Sequence, residues 1–305
     1  MTEGIGRVHP GAGEGIILLD KPPGQTSFQA LARIKRTVGT RRVGHAGTLD
    51  RFAEGLLVVL SGRMTRLSSL ATGMEKEYIA AVTFGKQTDT LDPEGKVVAE
   101  GPVPQKDDLE AALPSLVGRI MQVPPAYSAV HVGGRRAYEA ARSGEEVVLA
   151  PREVTIHSLS LVSFLPPVAT VRVVCSKGTY IRSLARDLAA RLSTCAFVLR
   201  LRRIRIGGFH VEEAKNPEDF DPARDLLPPA AFFDASPGLR RLRLREEYRE
   251  KAGRGAPLED SSFVDPPTSD GVFGAFTEQG ELMAVLEKRG ARYRYAAAFP
   301  SPATL

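Results

Sequence analysis

A histidine and an aspartate lie five residues apart in a glycine-rich stretch that leads directly into an apolar one. They are His45 and Asp50 in the segment GHAGTLDRFAEGLLVVL, residues 44–60. Turn chemistry accounts for most aspartates in loops, because the short carboxylate bonds to nearby backbone N–H groups. A buried strand behind the loop would also hold a carboxylate in a fixed position for catalysis. The local sequence leaves both interpretations open.

Several common catalytic groupings do not occur in the sequence. It contains no HExxH motif, no His/Cys cluster, no GxxxxGK(S/T) loop, no GxGxxG after a strand and no GxSxG elbow. These patterns would indicate zinc, a nucleotide phosphate, a dinucleotide or a serine nucleophile. The chemistry that remains is that of acids, aromatic rings and guanidinium groups.

The charge distribution favours a polyanionic ligand. The formal net charge is +5, but residues 33–66 carry eight Lys/Arg against two acidic residues, and residues 172–205 carry nine against one. A run of charge is often only a solvated surface. Two long, unbalanced segments next to Gly-rich loops also fit a surface that binds nucleic acid.

The composition is that of a soluble globular chain. Of its 305 residues, 43% are hydrophobic and 25% are charged, and the length allows two domains. No stretch predicts a membrane span or a signal peptide. The two cysteines, Cys175 and Cys195, form no CxxC pair, so reduced thiols and a cytoplasmic location are expected.

The apolar patterns predict alternating strands and helices after a Gly-rich and disordered N-terminus, residues 1–14. Thr26 or Ser27 is expected to cap the first helix, which Gly39 ends. Strands are expected at 15–20, 55–60, 77–85, 152–164, 169–176 and 197–206, and further helices at 106–113 and 178–193. The proline-rich segment Pro217–Pro237 is typical of a linker, and the remainder is typical of a small β-barrel.

Four stretches in this order resemble one family. They are LLDKPPGQTS (18–27), RVGHAGTLDRFAEGLL (42–57), KEYIAAVTFGKQTDTLDPEG (76–95) and CSKGTYIRSLARDL (175–188). Together they resemble the TruB family of bacterial tRNA pseudouridine-55 synthases. QVPPAYSAVHVGGRRAYEAARSG (122–144) resembles that family's RNA-gripping insertion, and GRGAPLE (253–259) resembles its small PUA-type RNA-binding domain. The set is specific, although no single motif would be.

The resemblance implies a cofactor-free isomerisation of one uridine in the T loop of tRNA, by a monomer that needs no protein partner and no membrane. It implies that Asp50 is the essential aspartate, that Tyr78 stacks on the target base and that Arg182 pairs with Asp50. It places His45 and Leu201 beside the flipped base. Lys21, Arg66 and Asp92 match supporting positions.

The basic residues near these motifs supply candidate phosphate contacts. The four candidate residues for contacts with RNA phosphates are Arg135, Arg136, Arg202 and Arg203.

General chemistry agrees with these roles. Glycosyl transfer needs a carboxylate that attacks or stabilises the sugar carbon, and a single motif carboxylate argues against an ordinary hydrolytic acid pair. A base inside a folded loop must be extruded before it can react, and an aromatic such as Tyr78 can stack on it. Other interpretations exist: Tyr78 as a cross-strand aromatic, Arg182 as a surface ion pair and His45 as a turn residue.

Two positions depart from the family pattern. The family usually has proline after the catalytic aspartate, where this chain has Arg51. Because proline restricts the residue before it, its loss either loosens the Asp50 loop or lets Arg51 contact phosphate instead. Glu54 replaces a small hydroxyl residue and adds a negative charge.

The predicted fold class is α/β (α+β), with a catalytic domain at 15–237 built on a mostly antiparallel mixed sheet. An RNA-gripping insertion is expected at about 122–151, and a PUA-like β-barrel at 238–305. Three other functions are alternatives: a non-catalytic RNA-binding protein, a sibling synthase guided by a separate RNA, and a carbohydrate-directed glycosidase. The intact Asp50, the small terminal regions and the basic surface favour the stand-alone synthase.

Overall fold

The computed structural model describes residues 13–128 and 149–300, together with the backbone of two short strands at 131–132 and 135–136. Most of the predicted N-terminal tail and most of the insertion lie outside these residues.

Strands make up most of the secondary structure. In chain order they are β1 (Gly15–Lys21), β2 (Val43–His45), β3 (Glu54–Ser61), β4 (Lys76–Phe84), β5 (Lys86–Thr88), β6 (Val97–Glu100), β7 (Gly118–Gln122), β8 (His131–Val132), β9 (Arg135–Arg136), β10 (Arg152–Leu165), β11 (Val168–Cys175), β12 (Ala196–Ile206), β13 (Phe209–His210), β14 (Leu239–Arg243), β15 (Gly271–Phe276), β16 (Leu282–Arg289) and β17 (Arg292–Ala298). The helices are α1 (Ser27–Thr37), α2 (Ser68–Gly73), α3 (Lys106–Ala112), α4 (Ile181–Arg191), α5 (Pro222–Asp225), α6 (Pro229–Asp234) and α7 (Arg249–Gly253). The strands and longer helices predicted from periodicity are confirmed to within a few residues.

Helix α1 shows how the local sequence sets an element's ends. The Thr26 side chain accepts from the backbone of Gln29, and the Gln29 side chain accepts from the backbone of Thr26. This reciprocal pair satisfies N–H groups that the first turn leaves free. Gly39 follows the helix with φ +70°, a conformation that glycine adopts without steric cost. The predicted cap and stop are therefore confirmed.

The main sheet runs in the order β1-β3-β12-β4-β11-β10-β7, with β2 added on β3 and β13 on β12. All of its pairs are antiparallel except β12 with β3, which pair in parallel at Arg202–Glu54 and Arg203–Gly55. The prediction of a mostly antiparallel mixed sheet is confirmed. At Gly55, φ is +105° and an added Cβ would lie 2.3 Å from the Arg203 carbonyl oxygen, so only glycine allows this close approach.

A second sheet in the order β14-β15-β16-β17 forms the C-terminal part. Its first pair is parallel and the other two are antiparallel. The described pairing leaves β14 and β17 as the two edges, so the predicted closed barrel is not confirmed.

The segment predicted as a linker, Pro217–Pro237, is packed rather than extended. It contains α5 and α6, and Phe232 and Phe233 of α6 are buried. These rings share one apolar core with residues of both sheets, including Val58 and Val285. The two sheets are therefore joined by a common core.

Across the described ranges, no helix combines the length and the apolar character needed to cross a membrane.

Candidate active site

Asp50 lies on the loop before β3, and two reciprocal backbone clamps hold that loop on either side of it. The Ser27 hydroxyl accepts from the Leu49 N–H at 3.0 Å and donates to the Leu49 carbonyl at 3.2 Å. The Gly24 N–H donates to the Arg51 carbonyl at 2.8 Å, and Arg51 Nε donates to the Gly24 carbonyl at 3.0 Å. The turn before α1 therefore fixes the residues on both sides of Asp50. In this chain Arg51 supports the loop with its side chain.

Arg203 supports the Asp50 loop from the interior of the protein. Its Nε donates to the Leu56 carbonyl at 2.7 Å and its Nη2 to the Gly47 carbonyl at 3.0 Å. The residue is only 1% exposed. This corrects the expectation of a phosphate contact: the guanidinium is inside the protein, where it links β3 to the loop that carries Asp50.

Arg182, on the first turn of α4, holds two carboxylates and two carbonyls. Its Nε lies 2.9 Å from Asp50 Oδ2, outside good hydrogen-bond alignment, so this contact is an ion pair. Its Nη1 lies 3.2 Å from Asp92 Oδ2 and donates to the Thr90 carbonyl at 2.8 Å, and its Nη2 donates to the Tyr127 carbonyl at 3.0 Å. The Arg182 side chain is 4% exposed and that of Asp50 is 39% exposed. A buried cation thus orients a carboxylate that is still open to a ligand.

Asp92 completes this ion-pair group from the β5–β6 loop. Its Oδ1 accepts from the Thr90 hydroxyl at 2.5 Å and from the Glu94 N–H at 3.0 Å. Burial raises the pKa of the Asp92 carboxyl, although Thr90 and Arg182 act in the opposite direction. The placement fits a residue that orients Arg182.

Tyr78 and Leu201 lie next to Asp50 in a small cavity of about 290 Å³, which we call the inner cavity. Tyr78 comes from β4 and Leu201 from β12, which are neighbouring strands of the sheet. Burial raises the pKa of the Tyr78 phenol, and the Arg203 guanidinium beside it acts in the opposite direction. The phenol is therefore neutral at pH 7. Five of the predicted site residues line this cavity: Asp50, Tyr78, Arg182, Leu201 and Arg203.

A larger cleft of about 880 Å³, the outer cavity, adjoins the inner cavity along the Asp50 loop. It is lined by His45, Arg51 and Lys96, and it shares Asp50 and Arg182 with the inner cavity. The Asp50 carboxylate thus lies where the two cavities meet.

His45 faces the outer cavity from β2. Burial lowers the pKa of its imidazole, and the nearby Arg203 charge lowers it further. Its Nδ1 is buried and has no hydrogen-bond partner within the described ranges. At neutral pH it is an uncharged ring with a free polar atom.

Lys21 is fully buried at the end of β1, where its ammonium donates to the carbonyls of Pro22 at 2.9 Å and Gln25 at 2.7 Å. Burial lowers the pKa of Lys21 to about 8, while the Asp50 carboxylate opposes the change. Lys21 thus stabilises the turn that clamps the Asp50 loop, in agreement with a supporting position.

The remaining predicted residues lie away from the inner cavity. The Arg66 guanidinium donates to the Ala298 carbonyl and lies 6.0 Å from the Phe299 ring, so it joins the two sheets. Arg202 makes a two-pronged contact with Asp20, at 3.1 and 2.8 Å. Because Asp20 already neutralises Arg202, that residue is a weaker candidate for a phosphate contact than expected.

Arg135 and Arg136 form β9, which pairs with β8. Their side chains lie outside the described part of the chain.

Sequence reasoning missed several residues that build this site. Ser27 resembled a helix cap, yet its hydroxyl clamps Leu49. Thr90 and Tyr127 act through backbone carbonyls, for which side-chain type gives no signal. Tyr180 lines the inner cavity and precedes α4 in the motif GTYIR, which was the available signal.

Comparison with known proteins agrees with this architecture. Residues 35–181 match the model of the TruB family pseudouridylate synthase N-terminal domain. The chain is 41% identical over 298 residues to the tRNA pseudouridine synthase B of Leifsonia xyli subsp. xyli, covering 95% of this chain and 97% of that protein. It is 40% identical over 286 residues to the protein of the same name from Thermobifida fusca, covering 90% and 95%.

A solved structure shares the fold. A chain in the structure of an H/ACA RNP bound to a substrate RNA containing 2′-deoxyuridine superposes with a TM-score of 0.72 at 21% identity, over 95% of this chain and 86% of that one. Fold, site and sequence matches together define a pseudouridylate synthase, an isomerase. Within that class, the chain belongs to the TruB family. The family and the enzyme class predicted from the motifs are confirmed.

Proposed function

We propose that this protein converts uridine 55 in the T loop of tRNA to pseudouridine, and that it does so without a cofactor. Two close relatives are named tRNA pseudouridine synthase B, which supports tRNA as the substrate. The observation that carries the proposal is the position of Asp50, held by Arg182 at the junction of a base-sized cavity and a larger cleft.

The reaction rearranges one nucleoside and adds no atoms. The bond between N1 of uracil and C1′ of the ribose breaks, the uracil turns, and a bond forms between C5 and C1′. The proton leaves C5 and N1 regains one. Asp50 supplies the anionic group that attacks or stabilises the intermediate. Arg182 pairs with that carboxylate at 2.9 Å and keeps it aimed.

The inner cavity suits an extruded uracil. Extrusion from the stacked loop costs a few kcal/mol, and stacking on an aromatic ring returns about 1–3 kcal/mol. Tyr78 provides the ring, and Leu201 provides an apolar wall. A partly apolar pocket filled by the base also leaves little room for the water that would hydrolyse a detached intermediate. His45, an uncharged ring that lines the outer cavity, is placed to contact the RNA there.

The larger surface supports binding of a folded RNA. Arg51 and Lys96 are exposed and line the outer cavity, and Arg41, Arg42 and Lys177 are exposed nearby in the sequence motifs. Lys and Arg side chains at such positions bind phosphates and make the affinity dependent on salt. We propose that the insertion near 122–151, with Arg135 and Arg136, grips the RNA, and that residues 238–305 form a PUA-like RNA-binding domain.

A synthase guided by a separate RNA is the second candidate, because the fold also matches a chain of an H/ACA RNP. The 41% identity to a tRNA pseudouridine synthase B, against 21% to that chain, favours an enzyme that acts alone. We therefore infer a cytoplasmic monomer that needs no protein partner.

The test is to map pseudouridine in full-length tRNA transcripts after incubation with the purified protein and no added cofactor. A parallel incubation with a metal chelator is the control for a bound metal. We expect modification of one T-loop uridine by the wild type and none by Asp50→Asn, which removes the anion but keeps the shape. RNA binding by Asp50→Asn should stay within about tenfold, or 1.4 kcal/mol.

Asp107→Asn, an exposed site on α3, serves as the matched control and should modify normally. Pseudouridine formation by Asp50→Asn would refute the mechanism. Modification only in the presence of added guide RNA and proteins would favour the second candidate.

A further inference from the structure

One exposed aromatic side chain lies beside the reactive carboxylate and has no role in the chemistry described above. Phe28, in the first turn of α1, is 72% exposed. Every other phenylalanine or tyrosine in the described ranges is buried or half-buried. Exposing a whole apolar ring gives up the stabilisation that its burial would provide, so this position invites a functional explanation.

The location of Phe28 is fixed by the loop clamp. Its neighbour Ser27 is buried and hydrogen-bonded to Leu49, the residue before Asp50. The side chains of Ser27 and Phe28 diverge by about 100° around the helix, so one enters the protein while the other faces outward. Phe28 accordingly lines the outer cavity together with Asp50.

The immediate surroundings of the ring favour a nucleotide rather than an apolar ligand. The Lys35 ammonium lies 5.4 Å from the ring centroid, on one face. With most of the side chain exposed, the opposite face is free. The same cavity is lined by Lys96, an exposed cation, and by Arg51, which lies 3.9 Å from the Glu94 carboxylate. An exposed aromatic face, with an ammonium over the ring and a further exposed cation in the same cavity, is the composition of a single-strand stacking site.

We propose that Phe28 is a stacking platform for an unpaired nucleotide next to the target uridine, and so a positioning residue for the RNA. This inference rests on the proposed function. Tyr78 would receive the extruded base in the inner cavity, while Phe28 would hold a neighbouring base in the outer cavity. The two rings would then hold adjacent bases in two separate cavities that share Asp50.

The first measurement compares variants of Phe28 in RNA binding and in single-turnover conversion with saturating enzyme. Phe28→Leu removes the π-face and should raise the Kd for a T stem-loop by about 5- to 150-fold, the equivalent of a 1–3 kcal/mol stack. Phe28→Trp keeps the face and should bind like the wild type. Because the ring is exposed, neither substitution should change the midpoint of thermal unfolding. Leu165→Ala is the control, since Leu165 is 80% exposed and lines neither cavity.

The second measurement identifies the base. A set of stem-loops, each with an abasic site at one loop position other than the target, is bound to wild type and to Phe28→Leu. At the stacked position the abasic site should weaken binding to the wild type but cause no further loss in Phe28→Leu. At all other positions the two losses should add.

The two proposals fail in different ways. If the wild type forms no pseudouridine in any tRNA, the proposed function fails. If the wild type is active but the losses add at every loop position, or if Phe28→Leu binds as tightly as the wild type, the stacking platform is refuted.

Discussion

Replacing Arg182 with lysine tests whether the planar guanidinium, rather than positive charge alone, is needed to aim Asp50. Arg182 reaches two carboxylates and two carbonyls from one buried position. A lysine ammonium at the end of a flexible chain carries the same charge but cannot form a planar, two-sided grip. We expect it to keep some of these contacts and to lose the fixed position of Asp50.

The expected size of the effect follows from the contacts. A hydrogen bond to a charged group is worth about 1.5–3 kcal/mol, so losing one contact from the transition state corresponds to about a 10- to 150-fold slower step. The affinity for RNA should change little, because Arg182 is buried and contacts protein atoms. Single-turnover conversion with saturating enzyme measures the chemical step, and filter binding measures the affinity.

Arg186→Lys is the matched control, since Arg186 lies one turn further along α4 and bonds to Asp187 and to the Val123 carbonyl. It should react at the rate of the wild type. An unchanged rate for Arg182→Lys together with a large loss of affinity would make Arg182 a phosphate contact and refute the reasoning. Equal slowing by both variants would show a general effect on α4 instead.

Three further predictions concern other parts of the site. If the Tyr78 hydroxyl transfers the C5 proton, Tyr78→Phe should slow the chemical step by about 10²–10⁴, and a wild-type rate for Phe would leave only a stacking role. Because the pKa of Lys21 is about 8 in the folded protein and 10.5 as its ordinary value, Lys21 should add on the order of 3 kcal/mol to the free energy of unfolding as the pH rises from 8 to 10.5. Burial also lowers the pKa of Lys76 to about 8, so Lys76 should add a similar amount. Lys21→Met should reduce the gain measured in chemical denaturation curves by the Lys21 share, and an unchanged gain would contradict the assignment. Arg51→Ala removes one clamp bond to Gly24 and should slow single-turnover conversion by about 2- to 12-fold. Arg51→Pro should recover part of the rate, because proline restricts the backbone of the preceding residue, and equal rates for all three proteins would refute the clamp.

The elements with clear periodicity could be predicted from the sequence alone. The alternation in β4 and the amphipathic stripe of α4 are local patterns, and their burial follows them. The Thr26 cap and the Gly39 stop are equally local. The placement of Asp50, Tyr78 and Arg182 in one site came from the family resemblance, because no local pattern brings three distant segments together.

The role of Arg203 could not be read from its surroundings in the chain. The end of β12, LRRIRI, carries arginines on both faces, so alternation gives no inward side. The burial of Arg203 depends on the parallel pairing of β12 with β3, which is a contact between distant parts of the chain. The prediction of a linker at Pro217–Pro237 relied on its prolines. It overlooked Phe232 and Phe233, which pack the segment into the core shared by the two sheets.

The common core between the two sheets has a consequence for the energetics of the whole molecule. Phe232 and Phe233 join Val58 of the main sheet to Val285 of the C-terminal sheet, and Arg63 and Arg66 bond to carbonyls near the end of the chain. Parts that share a core unfold cooperatively, so the calorimetric transition of the protein is expected to be single rather than stepwise. The shared core also fixes the two sheets relative to each other, so a long ligand that touches both does not have to immobilise a hinge between them. Proteins with two flexibly linked binding modules lose conformational entropy when a ligand fixes the modules relative to each other. In this protein that entropy is already lost during folding.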